Sequence, residues 1–124
     1  MKLLVFLLFT AVSFGQSWFT VQIDSNATAS GEINIKSTFI NSVSVDTPWT
    51  TANLTFQKWD DAKNKWFTVK DNSGNIITLT ITSPPANYAL KPVDAWALKG
   101  RIRIISSAAQ GDDRVLSYER SRFD

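Results

Sequence analysis

The sequence predicts an all-β protein, a single antiparallel sandwich of two sheets with about seven strands. Seven short runs alternate apolar and polar residues with the two-residue period of a half-buried strand. Clusters of Ser, Asn, Asp, Gly and Pro separate these runs at regular short spacing. No segment holds the helical period over enough length for a substantial helix. Strands with one apolar face each bury that face by stacking sheet on sheet. A closed barrel satisfies the same periodicity and is the competing architecture.

The chain opens with a charged Met1-Lys2, an almost wholly apolar run from Leu3 to Val12, and the small residues Ser13 and Gly15. That series is a secretory signal peptide over residues 1–15, with cleavage before Gln16. The apolar run is too short to cross a bilayer core, which needs about 20 residues. Residues 16–124 then form one β-sandwich domain, expected to be secreted and extracellular with no membrane span. Loss of Lys2 with the leader lowers the net charge from the +2 of the whole chain. A balance so close to neutral lacks the basic stripe of a nucleic-acid binder, so no nucleic acid is expected as partner. Cysteine is absent, and burial must supply the stability that small secreted domains commonly draw from disulfides.

In chain order, Ser17 to Asp24 alternates, with Phe19, Val21 and Ile23 on one side. Gly31 to Ile40 alternates through Ile33, Ile35, Ser37 and Phe39, and Asn41 to Pro48 reads as a connection. Ala52 to Asp71 is a β-hairpin, in which pairing Phe56 with Val69 puts Leu54, Phe56, Phe67 and Val69 on one face. The same register sets Trp59 opposite Trp66 on the outer face, flanking the loop from Asp60 to Lys65. Asp71 to Asn75 is a tight turn. Ile77, Leu79 and Ile81 then alternate with Thr78, Thr80 and Thr82. Ser83 to Lys99 is the longest connection; Pro84, Pro85 and Pro92 forbid a central strand there, and Pro92 suits the start of one helical turn. Gly100 to Ser107 is a strand with Ile102 and Ile104 inward and Arg101 and Arg103 outward. Arg114 to Ser121 returns with Leu116 and Tyr118 inward. Ile35, Phe56, Leu79 and Ile104 are the candidate core.

Two of these strands carry a resemblance. Leu54-Thr55-Phe56-Gln57-Lys58 is similar to the third strand of immunoglobulin-like and fibronectin-type-III-like sandwiches, where an aromatic sits between an aliphatic and a basic residue. Gly100-Arg101-Ile102-Arg103-Ile104 is similar to their sixth strand, Gly-x-Tyr-x-Cys. Ile102 then replaces the tyrosine and Ile104 the cysteine, with Ile33 or Ile35 as its counterpart on the second strand. Both cysteines and the corner tyrosine of that family are missing here. The resemblance implies an Ig-like architecture and transfers no activity, because that fold hosts unrelated functions.

Histidine and cysteine are both absent, which removes the commonest general base, the usual nucleophile pairs and most transition-metal ligands. The doublets Asp60-Asp61 and Asp112-Asp113 sit in turns, where adjacent side chains point apart, unlike the converging carboxylates of a glycosidase. Asp71 to Asn75 resembles half of a calcium loop, but the downstream glutamate is missing. No catalytic residue, metal site or cofactor is therefore expected, and the protein is not expected to be an enzyme.

Trp59 and Trp66 are the candidate partner-binding residues. Two indoles at a hairpin mouth offer a hot spot for a protein partner or a stacking surface for a sugar ring. They also satisfy one another by cross-strand stacking, and a bulge at Lys58 would turn Trp59 inward. Asn26-Ala27-Thr28 and Asn53-Leu54-Thr55 are glycosylation sequons, with Asn26 in a turn and Asn53 at a strand start. The expected function is a secreted binding module for an extracellular protein or other macromolecule. The alternative is a lectin-like module that takes a glycan on Trp59 and Trp66.

Overall fold

The computed structural model describes residues 18–122, so the proposed signal peptide and its cleavage point lie outside the described residues. Eight strands form two antiparallel sheets of four. They are β1 (Trp18–Ile23), β2 (Ile33–Ile35), β3 (Thr38–Val45), β4 (Leu54–Asp60), β5 (Lys65–Thr68), β6 (Ala86–Ala89), β7 (Gly100–Ser106) and β8 (Arg114–Arg122). One helical turn, α1 (Pro92–Ala95), lies between β6 and β7. The first sheet runs β1-β8-β3-β6 and the second β2-β7-β4-β5.

The inward residues meet in one core. Ile35, Phe56 and Ile104 are fully buried and Leu79 nearly so, all within one cluster. Phe56 lies directly opposite Ile104 across the β4–β7 ladder. The hairpin register is the expected one: Trp59 pairs with Trp66, and the Val69 N–H donates to the Phe56 carbonyl at 2.9 Å. Phe67 holds the expected inner parity but stays 39% exposed, because its row, opposite Lys58, overhangs the end of the core.

Four features depart from the expected chain path. The run from Gly31 to Ile40 is two strands, since the chain leaves the second sheet after Ile35 and enters the first at Thr38. The crossing shifts the side-chain phase, and Phe39 and Ile40 are buried in succession. The segment read as a connection from Asn41 continues β3 to Val45, with Val43 and Val45 buried between serines. A bulge between Ile40 and Ser42 breaks the alternation that would have shown it. Ile77, Leu79 and Ile81 are buried and Thr78, Thr80 and Thr82 exposed, as expected, yet the backbone makes only isolated bridges there. The connection from Ser83 to Lys99 contains β6, a four-residue strand at a sheet edge, where its proline neighbours are tolerated.

The sandwich has two distinct ends. The β4–β5 loop, the β2–β3 crossing, α1 and the start of β1 gather at what we call the hairpin end. The β3–β4 and β7–β8 loops meet the turn after β1 at the other, the Gln110 end. Leu98 and Ala95, both buried, close the core beneath α1; Pro92 opens that turn, where its missing N–H costs nothing.

Candidate functional site

Alternation along β4 sends Thr55, Gln57 and Trp59 to the outer face of the second sheet, and the ladder sets Gln57 beside Arg103. Trp59 and Trp66 therefore stand next to the outward arginines of β7. The two indoles meet edge to face with ring centroids 5.4 Å apart and planes at 67°, the geometry that aromatic quadrupoles favour. The Arg101 guanidinium lies 5.0 Å over the Trp59 ring, and that of Arg103 lies 4.5 Å over Trp66. Arg103 Nε donates to Gln57 Oε1 at 2.7 Å. Arg101 forms a two-point fork with Glu32, Nε to Oε2 at 3.1 Å and Nη2 to Oε1 at 2.7 Å. Asp61 Oδ1 lies 3.6 Å from Arg101 Nη1. These bonds hold the Glu32 carboxyl below its usual range and the Arg101 guanidinium above its own.

Trp59 and Trp66 are thus outward and paired, with no bulge at Lys58, and both are half-buried. Each indole carries a guanidinium over its ring, a cation–π contact. A depression of about 510 Å³ opens beside them, lined by Lys58, Trp59, Asp60, Asp61, Ala62 and Phe67. The ammonium groups of Lys63 and Lys65 lie 5.6 and 5.1 Å from the Phe67 ring. Burial, with the charge of Lys99 nearby, holds the Lys58 amine below the usual lysine range.

The carboxylates serve their turns. Asp60 Oδ1 accepts the N–H groups of Ala62 at 2.9 Å and Lys63 at 3.1 Å, which shapes the hairpin loop. Asp71 Oδ1 accepts those of Ser73 and Asn75, both at 2.9 Å, while Gly74 takes the positive φ of 86° that the turn requires. Asp113 Oδ1 accepts from Ser25 N at 2.7 Å. Among the described residues, no three acidic, histidine or cysteine side chains converge as a metal site.

Both sequon asparagines are exposed. Asn26 sits at a turn with φ 66°. The Asn53 Oδ1 accepts the Ile81 N–H at 3.2 Å, tying the segment after the turn to the start of β4.

Charge is sorted between the two ends, which net charge conceals. Lys36, Lys58, Lys63, Lys65, Lys91 and Lys99 reach the hairpin end with Arg101, Arg120 and Arg122. Asp60, Asp61, Asp94, Glu119 and the Arg101-bound Glu32 are the acidic residues there. At the Gln110 end the balance inverts, with Asp24, Asp46, Asp71, Asp112 and Asp113 against Lys70 and Arg114. The outward parity of Arg101 and Arg103 was readable in the sequence; that β7 would lie beside β4, and so on the tryptophans, was not. No family model, no curated protein and no solved structure matches this chain.

Proposed function

We propose that this chain is a secreted, non-catalytic binding module that holds an extracellular protein or other macromolecule against its hairpin end. One observation carries the reading. Of the exposed large hydrophobic residues among the described ones, Trp18, Phe19, Phe67, Val93 and Trp96 fall at the hairpin end, and Ile76 and Val115 lie elsewhere. Clustered exposed apolar groups mark contact surfaces, and aromatic residues with arginine are enriched at protein interfaces. The absence of histidine and cysteine, and the engagement of Asp60, Asp71 and Asp113 by backbone amides, support a role without catalysis.

The arginines decide between the two ligand classes. A sugar ring stacks on a bare indole face, and here guanidinium groups lie over both rings. The protein reading is preferred on that ground. Trp59 and Trp66 act within it as a rigid platform beside the Phe67 depression. The immunoglobulin-like reading of the fold rests on the β4–β7 and β3–β6 adjacencies, which that family shares. The last strand differs: β8 joins the sheet opposite β7, whereas the family keeps its final two strands together. Ile33 and Ile35 accordingly sit beside Ile102 and Gly100 in one sheet, not across the core from Ile104. Of the two sequons, Asn26 is the better glycan acceptor, because the Asn53 amide already anchors Ile81.

The test is the double substitution Trp59→Ser/Trp66→Ser, with attachment to proteins captured from the native extracellular fluid measured per folded molecule. The expected result is loss of attachment with a modest stability cost of about 1–2 kcal/mol from the lost stacking. Attachment unchanged per folded molecule would sink the assignment. Binding to a glycan array that the same substitutions abolish would transfer the site to the lectin reading.

A further inference from the structure

At the corner where the chain crosses between sheets, a second depression of about 450 Å³ is lined by Asn34, Lys36, Ser37, Thr38, Arg120 and Arg122. It is separate from the tryptophan surface and independent of the reading given to it. Three of the six lining side chains are cationic and none is acidic. Among the described residues Lys36, Arg120 and Arg122 form no salt bridge, and Glu32, just before β2, is taken by Arg101. Lys36 and Arg122 are exposed, held together only because Thr38 pairs with Arg122 in the β3–β8 ladder.

Arg120 differs from the other two. It holds an inward position of β8, two residues beyond buried Tyr118, and its guanidinium lies 3.7 Å from the Phe19 ring centre. Phe19 in turn stacks on Tyr118 at 5.9 Å. The fork is thereby fixed before any ligand arrives, which lowers the entropic cost of binding. Its Nε is buried and has no hydrogen-bond acceptor. A buried donor on a charged group without an acceptor is rare and costly, and an anion seated in the depression would supply one. The Ser37 and Thr38 hydroxyls add neutral donors on the same wall.

We propose that this corner is a binding site for a tetrahedral oxyanion, a sulfate or phosphate group, with Arg120 as the fixed donor and Lys36 and Arg122 as the flanking charges. Arginine's planar fork suits such oxygens in a two-point contact. The surrounding excess of positive charge at the hairpin end draws anions toward the site. The group can arrive as a free ion or as part of a sulfated polysaccharide, and the experiment separates these sources.

Calorimetric titration of the folded chain uses sodium sulfate, sodium phosphate and a heparin-derived oligosaccharide as probes. Lys36→Ser/Arg122→Ser should weaken binding about tenfold or more. Lys70→Ser/Lys91→Ser, which removes the same charge from exposed positions that do not line the depression, should change it less than about twofold. Arg120→Lys retains the charge and loses the fork, and should weaken binding with the denaturation midpoint preserved. Binding of sulfate or phosphate with this pattern assigns a free-ion site. Binding of the oligosaccharide alone with the same pattern assigns a polymer-borne group. Equal losses in the two double variants, or no binding of any probe by the native chain, would overturn the proposal.

Discussion

At the Gln110 end one fully buried glutamine ties three loops together through its side chain and backbone carbonyl, while at the hairpin end basic and aromatic side chains stand open to solvent. Gln110 Nε2 donates to the Thr50 carbonyl and to Ser106 Oγ, each at 3.1 Å. Its Oε1 accepts from Thr50 N at 2.9 Å and from Arg114 Nε at 3.2 Å. Its backbone carbonyl accepts the Asn26 N–H at 2.8 Å. Every polar atom of that side chain is matched within the molecule, so its hydrogen bonding needs no outside partner. The hairpin end has the opposite character: Trp96 is 53% exposed, Arg120 keeps a buried donor without an acceptor, and the flanking cations face water. Under the proposed function, this difference separates the end that holds the fold from the end that makes contact.

The largest expected effect belongs to the core both ends share. Phe56→Ala should cost about 3–5 kcal/mol, much of a small domain's stability. Thr80→Ala, at an exposed position, should stay within about 0.5 kcal/mol; equal shifts in denaturation midpoint would refute the parity assignment. Next comes the latch. Gln110→Ala removes a fully buried side chain together with its hydrogen bonds to Thr50, Ser106 and Arg114, leaves the buried Ser106 hydroxyl without that donor, and should cost about 2–3 kcal/mol. A cost as small as that of a surface change would mean that the loops close without it.

The smallest effect is a pH dependence on the second sheet's outer face. The hydrogen bonds from Arg101 hold the Glu32 pKa below its unfolded value. Its contribution is therefore present above the ordinary glutamate range and lost as pH falls through the lowered folded value. Glu32→Gln should remove that part of the acid sensitivity and leave the stability curve above the range parallel to the native one. An acid limb identical to that of the native chain would show that the fork adds nothing to folding.

Much of this architecture was legible in the sequence because each strand with one buried face writes its period directly. β4, β7 and β8 follow from Phe56, Ile104 and Leu116 in that way, and β5 from its hairpin pairing with β4. The β2–β3 crossing was hidden because alternation carries on formally through Ser37 while the chain changes sheets. β3 beyond Ile40 was hidden by one bulge and by serines, which serve turns and solvated strand faces alike. The pairing of Trp59 with Trp66 was readable since both lie in one hairpin. The arginines above them, and the meeting of Lys36 with Arg120 and Arg122, depend on contacts between segments far apart in the chain, which local periodicity does not encode.

The measurement that bears most directly on the contrast sets two variants side by side, Gln110→Ala and Phe67→Ser/Trp96→Ser. For each, the denaturation midpoint and the capture of partners from native extracellular fluid, per folded molecule, are recorded. Gln110→Ala should lower the midpoint and keep its capture, whereas Phe67→Ser/Trp96→Ser should keep its midpoint and lose capture. The reverse pattern, with capture lost at the Gln110 end and retained at the hairpin end, would contradict the account.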